Sequence, residues 1–196
     1  MKERFVTATT PTHNESNEEP DGDPDIVIIR DSLFKHVKED GLMRREKKKV
    51  LLVWAPKLAD ALERVIEMNI KPKVVMLHVG TNDLSDVEEE EMLVKIKKIH
   101  EILDTRGIKF VFSYIIPTAT AVATAKAEVI NSKVAQLFAS EESVYMGMNK
   151  DFYYHGVKNT DQFDDDGIHV NEMGTKTLVN QTKEVLCQAL TIEAPS

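Results

Sequence analysis

Four short runs of β-branched and large apolar residues, each followed by a stretch with helical spacing, constrain this chain more than any other feature. The runs are Ile26-Val27-Ile28-Ile29, Val50-Leu51-Leu52-Val53-Trp54, Val74-Val75-Met76-Leu77-His78-Val79 and Phe110-Val111-Phe112-Ser113-Tyr114-Ile115-Ile116. Near-continuous apolarity over so few residues marks strands covered on both faces, as in parallel sheets. Between them, Leu58, Ala61, Leu62, Val65 and Ile66 recur at helical spacing, and Met92, Ile96, Ile99 and Leu103 do the same within 87–105. There, Glu88 to Glu91 precede Lys95, Lys97 and Lys98, a charge order that suits the helix dipole. A short helix is expected to begin at Leu33-Phe34-Lys35-His36-Val37, a fourth one over 123–139, anchored by Val129, Val134, Leu137 and Phe138, and a last one after Asn171, with Leu178, Val179, Val185, Leu186 and Leu190 buried. Val144-Tyr145-Met146 reads as a short fifth strand.

Strands alternating with helices predict an α/β fold: a three-layer α/β/α sandwich around a mostly parallel sheet of about five strands. The 196 residues suit one such domain, placed at 25–190. Residues 1–24 are polar, without apolar period, and read as a disordered tail or linker; 191–196 read as a C-terminal tail. In this architecture ligands bind beyond the carboxyl ends of the strands. That rim would carry the loops at Ser32, Ala55 and Asn82.

Composition narrows the function classes. The 42% apolar and 30% charged residues are ordinary for a globular domain. No stretch approaches the roughly 20 apolar residues of a membrane span, and no signal-peptide pattern opens the chain. The net charge of -8 gives nucleic-acid binding no support. The basic cluster Arg44, Arg45, Lys47, Lys48 and Lys49 reads as a solvated loop before a strand, with phosphate-chain binding as the alternative. The single Cys187 fits a reducing compartment, so the expected location is intracellular, cytoplasmic with the nucleus open. His36, His100, His155 and His169 show no metal-ligand spacing, and no metal or cofactor is expected. His78, inside an apolar strand, reads as a core histidine with a satisfied ring.

Three separated blocks stand at strand or helix ends: Arg30-Asp31-Ser32, Gly80-Thr81-Asn82-Asp83 and Asp166-Gly167-Ile168-His169. Taken singly, each has a plain reading as a helix cap, turn residues or loop polars. Their order and placement together resemble the SGNH hydrolases, also called GDSL-type esterases and lipases, over about residues 25–190. The look is most similar to SGNH-like domains of retroelement-encoded and retroelement-derived proteins. The resemblance implies Ser32 as nucleophile, His169 as general base and Asp166 as its orienting carboxylate. It implies an oxyanion hole from the Asn82 carboxamide and the N–H groups of Ser32 and Ala55, shaped by Arg30, Asp31, Gly80 and Trp54. Hydrolysis of small esters through an acyl-serine follows, with acetyl or another short acyl group in view.

Two positions depart from the family pattern. Arg30 stands where the signature has glycine, and Ala55 replaces another glycine. At Arg30 a backbone needing positive φ would be strained. The guanidinium can fill the rim, pair with Asp31 or recruit an anion. A descendant without catalysis, binding a ligand or a protein partner, is therefore the competing expectation.

Overall fold

The computed structural model describes residues 22–191. Five parallel strands form one sheet in the order β2-β1-β3-β4-β5: β1 Ile26–Arg30, β2 Val50–Trp54, β3 Val74–His78, β4 Lys109–Ser113 and β5 Val144–Gly147. The central pairings run in register, so that Arg30 faces Trp54 on one side and His78 on the other. Alternation along β1 sends Val27 and Ile29 to one face, Ile26 and Ile28 to the other. On the first face pack α2 (Leu58–Glu67), α3 (Glu89–Thr105) and α4 (Ala121–Leu137), through Leu58, Ala61, Val65, Met92, Ile96, Ile130 and Val134. On the second lie α1 (Glu39–Leu42) and α5 (Glu172–Thr191), through Leu42, Leu178, Val185 and Leu186. The expected three-layer α/β/α sandwich is the observed one.

Several local expectations shift. Ser32 enters a single 3-10 turn, Ser32–Phe34, and the helix expected there begins only at Glu39. In α4, Val129 and Leu137 face outward, and the buried stripe is Ala127, Ile130, Asn131 and Val134. The cause is polar: Asn131 accepts from the Ile115 N–H and donates to the Ile115 carbonyl, both at 2.9 Å. A reading of apolar positions alone misses that phase. The same pair of bonds takes over the backbone of Ile115, so β4 stops at Ser113 rather than running to Ile116.

The polar segment before α5 is structured. It holds a hairpin, β6 (Tyr153–Tyr154) with β7 (Val157–Lys158), turned at His155 and Gly156, both at positive φ. Of the expected N-terminal tail, 1–21 lie outside the described residues, while Gly22 and Asp23 bond to Lys49 and Lys71. Thr191 closes α5, and 192–196 also lie outside the described residues. Among the described residues no helix is long and apolar enough to cross a membrane.

Candidate functional site

The carboxyl ends of β1 and β3 build the floor of the site. The ladder continues one residue past each strand, with the Asp31 N–H donating to the His78 carbonyl at 3.2 Å and the Ala55 N–H to the Arg30 carbonyl at 3.0 Å. Asp31 then turns the chain. Its side chain accepts from the Leu33 N–H at 3.0 Å, which starts the turn that presents Ser32. Below, the His78 ring packs 4.6 Å from Phe34 and its Nδ1 lies 2.8 Å from Ser113 Oγ. Burial drives the His78 pKa down to about 3, so the ring is a neutral part of the core.

The loop after β3 requires its glycine. Gly80 sits at φ +135°, and a Cβ there would lie 2.8 Å from Ile115 Cδ1. The tight turn lets Asn82 reach across to the β2–α2 connection, where its Nδ2 donates to the Pro56 carbonyl at 2.9 Å. A carboxamide nitrogen carries two hydrogens, so one remains for a ligand. Asp83, fully buried, accepts from the Leu58 N–H at 3.1 Å and ties the same loop to the start of α2.

The third block arrives from the opposite side of the sheet. Phe163 and Val170 bridge its base, and Asn171 Nδ2 donates to the carbonyls of Asp161 and Phe163. Asn171 also caps α5 as expected, its Oδ1 accepting from Met173 and Gly174 N–H. Asp166 accepts three bonds: from the Ile168 N–H at 2.8 Å, the His169 N–H at 2.9 Å and His169 Nδ1 at 2.7 Å. The His169 bond first, then the two amides, hold its carboxyl well below the usual carboxylate range. His169 Nε2 lies 3.1 Å from Ser32 Oγ. With Nδ1 carrying the proton toward Asp166, Nε2 is free to accept from the serine hydroxyl.

Two of the expected site residues behave differently. Ala55 is fully buried and its N–H is occupied by the Arg30 carbonyl, so it offers no donor to a ligand. The next residue, Pro56, takes part through its carbonyl, which accepts from Asn82 and aims that side chain. The Ser32 N–H, first in its turn, donates to no acceptor among the described residues. Arg30 is the last residue of β1 and does not sit at positive φ, so its side chain imposes no backbone strain. Its guanidinium lies 5.0 Å from the Trp54 ring centroid and makes no ion pair with Asp31 among the described residues. Trp54 is 45% exposed and covers one flank of the guanidinium. Among the described residues no group of three or more His, Cys, Asp or Glu side chains is placed to hold a metal ion.

The sequence matches no protein-family model and no curated protein. Its fold does match solved structures. A GDSL-like lipase from Bacteroides thetaiotaomicron superposes with a TM-score of 0.70 at 17% identity, over 84% of this chain and 88% of that one. A carbohydrate esterase of family 3 from Talaromyces cellulolyticus gives 0.67 at 14% identity, over 86% and 99%. A psychrotrophic esterase from Pseudoalteromonas, solved as inhibited by monoethylphosphonate, gives 0.61 at 13% identity, over 85% and 99%. The shared property is the fold, a parallel five-stranded sheet between helical layers.

Proposed function

We propose that this chain is a serine-dependent ester hydrolase of the SGNH type. The observation that carries the reading is one continuous relay, Ser32 Oγ to His169 at 3.1 Å and His169 to Asp166 at 2.7 Å, joining residues 137 positions apart. Such a chain supplies what a serine hydroxyl lacks, a base within hydrogen-bond reach that is itself oriented. The fold shared with esterases and a lipase supports the same reading.

The reaction follows from these positions. His169 Nε2 takes the Ser32 proton as Oγ attacks the ester carbonyl carbon, and Asp166 stabilises the imidazolium. The oxyanion meets two donors, the Ser32 N–H and the free hydrogen of Asn82 Nδ2. Collapse expels the alcohol, which takes the proton from His169, and leaves acyl-Ser32. Water, deprotonated by His169, repeats the sequence in reverse and releases the acid. The serine, base and carboxylate lie at an open rim, His169 29% and Asp166 47% exposed at their side chains, which fits small acyl groups such as acetyl on a larger alcohol portion. The free Cys187 and the similarity of the Gly80–Asp83 and Asp166–Asn171 strings to retroelement-type domains support an intracellular setting.

A second reading keeps the site but not the turnover. It is favoured by the occupied Ala55 N–H, which leaves the oxyanion with one donor fewer than the family pattern. Hydrolysis of short p-nitrophenyl esters, together with labelling by a fluorophosphonate, separates the two. The wild type is expected to hydrolyse and to label at Ser32, and Ser32→Ala to lose both. Equal hydrolysis by the two proteins would overturn the enzymatic reading, and an unlabelled, inactive wild type would favour the binding module.

A further inference from the structure

The loop carrying Asp166 and His169 is closed largely on itself. Beyond the Phe163–Val170 bridge, the Asp164 N–H donates to the His169 carbonyl at 2.8 Å and the Gly167 N–H to the Asp164 carbonyl at 2.9 Å. Bonds of this kind fix the shape of a loop but not where it sits against the sheet. A tie to the β4–α4 connection comes from a residue outside the three sequence blocks. Lys158 closes the β6–β7 hairpin, directly across the ladder from Tyr153. Its Nζ donates to the Gly167 carbonyl at 2.5 Å and to the Thr118 carbonyl, in the β4–α4 connection, at 3.1 Å. The same ammonium lies 3.9 Å from the Phe163 ring centroid.

We propose that Lys158 is a positioning residue: its ammonium draws the Gly167 and Thr118 carbonyls onto one point and thereby fixes how far His169 stands from Ser32. The kinetic part of this proposal rests on the hydrolytic reading above. Two carbonyl oxygens aimed at a common point repel unless a cation lies between them, and a cation there forms charge-assisted bonds with both. Gly167 sits between Asp166 and His169 in sequence, so a displaced carbonyl moves both partners of the relay. At Gly167 the backbone lies in ordinary van der Waals reach of the clamp. A Cβ on Gly167, at φ +65°, would stand 3.4 Å from Ala119 Cα and 3.5 Å from Lys158 Nζ. Partial burial lowers the lysine pKa, and the nearby Asp166 opposes that shift.

The test uses the full chain with Lys158→Met, which keeps the stem but removes charge and donors, and Lys158→Arg, which keeps the charge. In Lys158→Met, kcat for a p-nitrophenyl ester is expected to fall about 100-fold, the scale of a misplacement of about 1 Å. KM should stay within about threefold, because substrate contacts are not removed. Amide exchange at 164–170 should accelerate about tenfold or more, with exchange in β1 and β3 and the melting temperature unchanged. Lys158→Arg should restore most of kcat and of the protection. Unchanged kcat and exchange in Lys158→Met would overturn the proposal. So would a change confined to KM, which would mark a substrate contact, or a lowered melting temperature with loss of protection throughout the sheet. If the wild type hydrolyses no ester, the hydrolytic reading falls, and the exchange measurement alone decides whether Lys158 holds the loop.

Discussion

Two aspartates flank the Ser32–His169 contact, and their surroundings are opposite. Asp166 is open to solvent yet accepts three bonds, one from His169 and two from backbone amides, which keep it ionised. Asp31 is 1% exposed and accepts one bond, from Leu33, while its Oδ2 has no partner. Burial pushes the Asp31 pKa up to about 7, against the lowering by Leu33 and His169. One carboxylate is held by bonding and serves the imidazole. The other is held by the fold, shapes the turn beneath Ser32, and resists ionisation. Environment, rather than closeness to the serine in sequence, separates their tasks.

The largest expected effect breaks the bonded member of this pair. Asp166→Asn preserves shape but allows the wrong imidazole tautomer, with Nδ1 accepting from the amide and Nε2 protonated toward Ser32. A fall in kcat of about 10³- to 10⁴-fold is expected, by analogy with other triads. Steady-state hydrolysis of a short ester measures it. A variant retaining more than a tenth of wild-type kcat would mean that Asp166 is a loop polar and not the orienting group.

The buried member is tested by stability. A carboxyl with a folded-state pKa raised to about 7 binds more protons in the folded than in the unfolded chain between about pH 4 and pH 7. Stability therefore declines as pH rises through that window, by about 4 kcal/mol at most, and levels off above it. Asp31→Asn keeps an oxygen to accept from Leu33 and removes the charge. Urea unfolding across pH 4–8 should show the variant gaining on the wild type as pH rises, up to a plateau above pH 7. Equal pH dependence in both proteins would place the Asp31 charge in contact with water.

These contrasts also mark how far the sequence could be read. Strand runs, their covering helices and the three blocks were legible because each lies at the end of a strongly patterned element. The hairpin 153–158 was not, since two-residue strands show no period, and Lys158 with it. Asn131 hid the true face of α4 because a polar residue that satisfies a strand end looks like a solvent-facing one. Ala55 failed for a different reason. Alanine does keep an N–H, as expected, but only the ladder shows that Arg30 accepts it.

That loss sharpens what is asked of Asn82. With the Ala55 amide occupied by the Arg30 carbonyl, the proposed reaction relies on the Asn82 carboxamide as its side-chain donor to the oxyanion, and Pro56 aims it. Asn82→Ala is expected to lower kcat about 10²- to 10³-fold with little change in KM. Ser32 should still label with a fluorophosphonate, only more slowly, since nucleophile and base remain. A drop below about tenfold in kcat would point to other donors at the rim.

The smallest effect concerns the residue that departs most visibly from the family pattern. Arg30 occupies a regular strand position, carries no positive φ, and rests its guanidinium against Trp54. A contact of this kind at a partly exposed ring contributes about 0.5–1 kcal/mol. Arg30→Gly should therefore cost a little stability, and change kcat/KM by less than about fivefold, the equivalent of about 1 kcal/mol. The comparison of the two aspartates predicts the same, because Arg30 bonds neither of them among the described residues. A rise in ester hydrolysis of about 100-fold in Arg30→Gly would show instead that the guanidinium obstructs the site. The wild type would then be the impaired descendant, with its triad intact and its entrance closed.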